Sequence, residues 1–375
     1  MNEPLHLPRT TIKVMGLGGG GSNTIARMIE FGVQGVEFIA ANTDAQVLRV
    51  NPAAVKVLLG PKTTGGQGAG GNPAVGRRAA EESREAIAAA LAGADMVFLT
   101  AGMGGGTGTG AIAVAAEVAR AQGAVVVSVV TTPFGFEGPH RQRNASQGLA
   151  ALRQHTHTLV TVPNDRLLEI VTPDVSLEAA FHLADEVLRR AIQGITDIIT
   201  QTGLINRDFN DIRRMMSHGG GALITMGHGK GEQRVREAIL HALRNPLLGD
   251  IPLHTASGVL ANFVSGEDIP LDELITGMEQ LHGLLPQDAD VVWGVSHEPR
   301  LGKRVELVLL VTGVGEGAEA EAGRETVSAA RQRPAPASPP PAPAVQHPSP
   351  AVPAAAWQEV DIPAFLRRRM RSVAA

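Results

Sequence analysis

A chain of 375 residues has room for two domains and a tail, and 43% hydrophobic against 19% charged residues excludes a wholly disordered protein. A formal net charge of −4 gives no electrostatic reason to expect a nucleic-acid partner. Cysteine is absent, which removes disulfide scaffolds, thiolate nucleophiles and Cys-based metal sites and fits a reducing, cytoplasmic compartment.

Residues 1–10 carry no apolar signal core and read as a flexible N-terminus. Strands and helices then alternate. Ile12–Leu17 predicts a buried strand, Ser22–Phe31 a helix stopped by Gly32, and Val36–Ala41 a second strand. Ala79–Leu91 predicts one helix, Asp95–Thr100 a strand, Ala111–Gln122 a helix, Ala124–Val130 a strand and Leu159–Val162 another. The apolar stretch Ala111–Val130 contains Glu117, Arg120 and Gln122, so no bilayer span is expected. This alternation over 11–175 implies a Rossmann-like parallel sheet covered on both faces, with ligands beyond the carboxyl ends of its strands.

Residues 176–201 predict a long helix, apolar on most sides and therefore buried between two domains. A smaller α/β domain over 202–314 follows. Strands are expected at Ala222–Met226, Val259–Val264, Val291–Val295 and Val305–Val311, and helices at Glu232–Leu243 and Leu271–Leu285 on one face of the sheet. Residues 315–358 are rich in Pro and Ala, with no Asp, Glu, Lys or Arg from Pro334 to Gln358, and read as a disordered linker. Residues 359–375 end the chain with DIPAFLRRRMR, an apolar and basic island suited to docking a partner or merely to keeping the tail soluble.

Two glycine clusters carry the chemistry. The first, Gly16–Asn23, lies between a strand and a helix, where backbone amides can approach phosphate oxygens. Alone it also fits G-x-G-x-x-G with Asp44 near the place of a ribose-binding acid, so an NAD-dependent oxidoreductase competes at this point. The second, Gly102–Gly110, again follows a strand and opens a helix. Two such loops without a Walker lysine suggest a polyphosphate gripped by amides, helix dipoles and a magnesium ion carried by the nucleotide. Histidines show no H-E-x-x-H pair, His155 and His157 are expected at an exposed strand start, and no protein-built metal site is expected.

The run GGGTGTG resembles the signature loop of the tubulin/FtsZ superfamily, and the chain resembles its bacterial FtsZ members from Ile12 to Gly313 and again over Asp361–Arg369. The supporting motifs are Asn42–Gln46, Gly68–Pro73, Pro133–Gly138, Val162–Asp165 and Asn206–Arg213. The resemblance implies a GTP/GDP pocket. Gly19, Gly20, Gly21, Ser22 and Asn23, with Gly102, Gly104, Gly105, Gly106, Thr107, Gly108 and Thr109, would hold phosphates, and Ala69, Gly70 and Gly71 would sense the γ-phosphate. Pro133, Glu137 and Arg141 would lie by the ribose and phosphates, Asn164 and Asp185 would read guanine, and Phe181 would stack on the base. Independently, Phe181 and Asp185 are four apart on a helix and share a face, and a carboxylate suits guanine's donor pair better than adenine.

Asn206, Asp208 and Asp211 are the catalytic candidates. By residue type alone they read as a turn or cap. The resemblance instead implies that they enter a neighbouring subunit's pocket and orient water, so that the protein polymerises head to tail into the contractile division ring of cytokinesis. A scaffold that binds GTP without turnover is the non-enzymatic alternative. Asp361, Ile362, Pro363, Phe365, Leu366 and Arg367 resemble the docking peptide for membrane tethers and division regulators, which implies a cytoplasmic protein at the division site.

Overall fold

The apolar runs sort themselves onto two faces of one sheet. In Val125–Val130 the odd-numbered valines enter one core and Val126 and Val130 the other, the alternation a strand buried on both sides requires. The computed structural model describes residues 10–170, 176–200, 209–217, 221–249 and 253–314.

In chain order the elements are β1 (Ile12–Leu17), α1 (Gly18–Glu30), β2 (Glu37–Asn42), α2 (Ala45–Val50), β3 (Val55–Leu58), α3 (Pro61–Thr64), α4 (Pro73–Glu82) and α5 (Arg84–Leu91). Then come β4 (Met96–Gly102), α6 (Thr107–Ala121), β5 (Val125–Thr132), α7 (Pro139–Arg153), β6 (Thr158–Pro163), α8 (Asn164–Leu167), α9 (Leu177–Thr200) and α10 (Phe209–Ser217). The remainder is β7 (Gly221–Lys230), α11 (Arg234–Arg244), β8 (Gly258–Ser265), α12 (Leu271–His282), β9 (Asp290–His297) and β10 (Arg304–Val314).

The sheet runs β3-β2-β1-β4-β5-β6-β7-β10-β8-β9. Its first six strands are parallel, and the order reverses between β1 and β4, which creates a crevice beyond their carboxyl ends. Only Leu159 and Val160 of β6 pair with β7, so the second half hangs on a short seam, and there β10 runs antiparallel to β7 and β8. Past that seam the open edge of β7 is covered from α11. Asn245, just after the helix, donates to the Met226 carbonyl and His241 pairs with that of His228, while Glu237 accepts from the Lys230 amide. This blunts an edge that could otherwise pair with another chain.

Several expectations shift. Helix α1 starts at Gly18 rather than Ser22, because the glycines form its first turn. The single helix expected over Ala79–Leu91 breaks at Ser83, whose hydroxyl accepts from the Gly60 amide and donates to the Leu58 carbonyl. Helices cover both faces of the second sheet half: α11 and α12 pack on one, and α9 on the other, where Gly194 meets Val308 and Gly294 meets Ile198. The long helix buries one face, densest from Ala191 to Ile198, but Leu177 and Phe181 are exposed. His157 is half-buried rather than exposed: its Nδ1 accepts from the Val126 amide, and burial, helped by the charges of Arg120 and Arg213, pushes its pKa down. Among the described residues no helix is long and apolar enough to cross a membrane.

Candidate active site

Both glycine loops meet at the reversal of strand order. Gly18 has φ 71°, and a Cβ added there would lie 2.7 Å from the Gly108 nitrogen. A Cβ on Gly20 would be 3.1 Å from the Gly102 nitrogen, and one on Gly21 2.4 Å from the Thr100 carbonyl oxygen. The loops are therefore packed backbone to backbone. Their outward positions differ: Gly19 and Gly105 have no atom within 4 Å of such a Cβ, so the backbone there borders open space. The first turns of α1 and α6 hold N–H groups without intrahelical acceptors, and both positive dipole ends converge on this space.

The second loop is closed by its own threonines. The Thr109 hydroxyl accepts from the Gly104 amide at 2.8 Å, and Thr107 lies 2.6 Å from the Thr43 hydroxyl, oxygen to oxygen. Gly106 presses on the third loop, where a Cβ would meet the Asn72 nitrogen at 2.8 Å and Ala69 at 2.9 Å. Buried Asn144 ties the two together, donating to the carbonyls of Gly104 and Gly71. Gly70, Gly71 and the first-helix residue Asn23 remain exposed, while Ser22 is buried with no partner for its hydroxyl.

The residues expected at the ribose and the base gather around the ends of β5 and β6. Buried Pro133 opens a turn in which Glu137 accepts from the Phe134 amide and pairs with Arg141, while Asp165 accepts from the Gly135 amide at 2.8 Å. Phe181 packs edge-on against Phe134, 5.4 Å between centroids, and Phe134 stacks on Phe136. Beside Asp165, Asn164 is 4% exposed and its Oδ1 has no partner. An unpartnered buried acceptor at a cleft suits a ligand donor.

Asp185 faces α1, not bulk water. Its Oδ1 accepts from the Thr24 hydroxyl at 3.0 Å and its Oδ2 pairs with Arg27 at 3.2 Å. Burial pushes its pKa up, against the opposing pull of Arg27 and Thr24. A carboxylate offers about four lone-pair sites, which leaves acceptor capacity for a base.

Asp44, the acid a dinucleotide site would need on ribose, instead caps α2, its Oδ1 accepting from the amides of Gln46 and Val47. Asn206, Asp208 and Asp361–Arg367 lie outside the described residues. Asp211 stands in the first turn of α10, 3.6 Å from Arg214. That helix abuts strand starts: Thr158, first in β6, donates to the Met216 carbonyl, Arg214 binds Asp290, first in β9, and Gly258, first in β8, meets Met215. Helix α10 is thus at the amino ends of the strands and the glycine loops at their carboxyl ends, separated by a strand length of about 20 Å.

Two glycine loops at helix starts beside a Rossmann-type switch point, with aromatic rings and a buried carboxylate at its rim, define the fold of a nucleotide-binding protein. The tubulin/FtsZ family GTPase-domain model matches residues 11–172, and the FtsZ family C-terminal-domain model residues 220–315. Cell division protein FtsZ 1 of Thermococcus kodakarensis is 48% identical over 314 residues, covering 84% of this chain and 83% of its own. FtsZ 1 of Archaeoglobus fulgidus is 45% identical over 312 residues, covering 83% and 84%. A solved FtsZ dimer from M. jannaschii superposes with TM-score 0.79 at 45% identity, covering 83% of this chain and 90% of that one. CetZ2 from Haloferax volcanii, at 21% identity and TM-score 0.70 over 86% of this chain and all of that one, shares the fold.

The chain belongs to the FtsZ family. It is a cell-division protein with a tubulin-like GTPase domain, and the oxidoreductase reading of the first glycine cluster is set aside. The relatives named are archaeal, so they do not carry the bacterial setting that the sequence resemblance suggested.

Sequence reasoning missed Asn144, Thr24 and Arg27 as site supports, and it named Asp165 only as part of a motif, without a role. The first three are ordinary polar residues on helices, and no spacing rule singles them out.

Proposed function

We propose that this protein polymerises head to tail and hydrolyses GTP at the junction, where the segment containing Asn206, Asp208 and Asp211 of one subunit meets the nucleotide of the next. The observation that carries this reading is the separation of Asp211 from the glycine loops by the length of the parallel strands. A side chain at one end of the sheet cannot reach a γ-phosphate at the other, so a second copy must supply it. Two unlike surfaces then meet, and such contacts extend into filaments rather than closing as a two-fold pair.

Gly19–Asn23 and Gly102–Thr109 would hold the phosphates, with Ala69, Gly70 and Gly71 near the γ-phosphate and Glu137 and Arg141 towards the ribose. Asn164 and Asp185 would read guanine, and Phe181 would cover it. Among the described residues no three His, Cys, Asp or Glu side chains form a group able to hold a metal. Amide donors complement an anion, so magnesium fits as a counter-ion on the nucleotide, where it would neutralise phosphate charge. The domain limits 11–175, 176–201 and 202–314 follow the same division of labour. The filaments would form the division ring, with Asp361, Ile362, Pro363, Phe365, Leu366 and Arg367 docking membrane tethers beyond the linker 315–358.

The test is GTP hydrolysis against protein concentration for the wild type, Asp211→Ala and their mixture. The expected result is a threshold in the wild type and unchanged GTP affinity in the variant. Its turnover should fall about 10²–10⁴-fold, the worth of a positioned acid or base, with partial activity in the mixture. Strict proportionality of rate to concentration in the wild type, or normal turnover by Asp211→Ala, would overturn the proposal.

A further inference from the structure

Helix α1 touches the nucleotide pocket at two places. Its first turn is the phosphate loop, and its next two turns present Thr24 and Arg27 to Asp185. The Thr24 hydroxyl lies 3.0 Å from the Gly20 carbonyl oxygen and 3.0 Å from Asp185 Oδ1. One hydroxyl proton is therefore shared between a phosphate-loop carbonyl and the base-reading carboxylate. Arg27 grips the other carboxylate oxygen and contacts His182 Nδ1 at 2.7 Å, and His182 in turn lies 3.6 Å from Glu178. The Arg27 and Asp185 side chains are only 22% and 14% exposed, so water screens this pair weakly.

We infer that Thr24 and Arg27 are specificity-determining positioning residues, which hold the Asp185 carboxylate charged and oriented for guanine and couple it through α1 to the phosphate loop. The inference rests on Asp185 as the guanine reader. A carboxylate accepts from guanine's N1–H and exocyclic amine together only if its rotation is fixed. Thr24 and Arg27 hold one oxygen each, which fixes the rotation of the carboxylate and leaves each oxygen a further acceptor site. Burial alone favours the protonated acid, which would lose an acceptor, and Arg27 opposes that by its charge. Thr24 and Arg27 are three apart, so they share a helix face, and no loop rearrangement is needed to present both.

The experiment measures dissociation constants for GDP, IDP and ADP by calorimetry on the full chain carrying Thr24→Val, Thr24→Ser, Arg27→Met, Arg27→Lys or Asp185→Asn. Inosine lacks the exocyclic amine, so the GDP-to-IDP ratio reads the carboxylate's grip on that group. Thr24→Val and Arg27→Met should each weaken GDP at least about tenfold, the scale of a lost hydrogen bond to a charged group, and weaken IDP less. Thr24→Ser should restore the wild-type ratio, and Arg27→Lys should restore part of it. An equal loss for all three nucleotides, or no loss, would overturn the inference. If Arg27→Met does not fold, judged by thermal melting, Arg27→Lys and the threonine pair decide the matter. Should Asp185→Asn keep guanine discrimination, the reading of Asp185 fails and this inference with it. If Asp185→Asn loses discrimination while the Thr24 and Arg27 variants keep it, only the positioning role fails.

Discussion

Gly18 and Gly19 are neighbours in sequence with opposite demands on them, which makes a paired substitution to alanine informative. At Gly18 the backbone is left-handed, φ 71°, a conformation that costs a residue with a Cβ about 1–2 kcal/mol. The new methyl would also stand 2.7 Å from the Gly108 nitrogen and 3.1 Å from its Cα, both backbone atoms of the second loop. Forcing those loops apart should cost about 1–3 kcal/mol more, as overpacking does. The sum, about 2–5 kcal/mol, is a large share of the roughly 5–15 kcal/mol that holds a domain folded. At Gly19 no atom lies within 4 Å, and alanine is the better helix former by up to about 1 kcal/mol. Urea titration should therefore show Gly18→Ala strongly destabilised and Gly19→Ala unchanged or slightly stabilised. GDP titration should show Gly19→Ala weakened at least about tenfold, because its methyl enters the space where a phosphate would meet the amide. Wild-type nucleotide affinity in Gly19→Ala would refute the placement of the phosphates. Wild-type stability in Gly18→Ala would refute the loop-on-loop packing.

Glu186 accepts from both Arg189 and Arg190, and Arg190 reaches on to Glu306 of β10, so the carboxylate braces α9 against the second half of the sheet. Burial raises its pKa, but the hydrogen bonds and charges of the two arginines together outweigh burial and the net shift is downward. Glu186→Gln should lower stability by about 1–2 kcal/mol at pH 7, between the surface and buried limits for ion pairs. The folded state binds its proton less readily than the unfolded state, so this contribution is full above an unfolded value of about 4.3 and fades as pH falls through the folded one. A gap between wild type and variant that stays constant down to pH 3 in urea melts would count against it. Deleting residues 361–371 should leave GTP turnover and sedimentable polymer unchanged and abolish recruitment to tether-bearing vesicles. Recruitment that survives the deletion would exclude the docking role.

Much of the fold was legible because its strands are strong signals. The runs Ile12–Leu17 and Val125–Val130 are too apolar to lie anywhere but inside a covered sheet, and their observed limits match to within two residues. Helix α7 was not foreseen, because its buried face is only Asn144, Ala145, Gly148 and Leu152, too thin to give an apolar stripe. Strand β3 escaped for a similar reason, with one buried residue, Val57, among its four. The break at Ser83 depends on contacts with Leu58 and Gly60, more than twenty residues away, which local periodicity cannot contain. In the site, motif glycines were visible as motifs. Which glycine serves packing and which faces open space was not, since the left-handed backbone of Gly18 and the atoms opposite it are set by the second loop, far away in sequence.

The placement of Asp211 follows from one element whose length could be read in advance. Helix α9 has 24 residues and so spans about 36 Å. Its early turns put Asp185 beside Thr24, near the carboxyl end of β1, and its last residue, Thr200, lies against Gly35 just before β2 begins. The helix therefore carries the chain from the nucleotide end of the sheet to the opposite end, and α10 takes up its position there. The six parallel strands that precede it all exit at the same end, so a returning helix of full strand length delivers what comes after it to the far side. Shortening α9 by two turns would bring α10 nearer the glycine loops but would take Val187–Ile198 out of register with the core they fill. Packing thus enforces the separation, and an acidic group on α10 has no intramolecular route to the glycine loops.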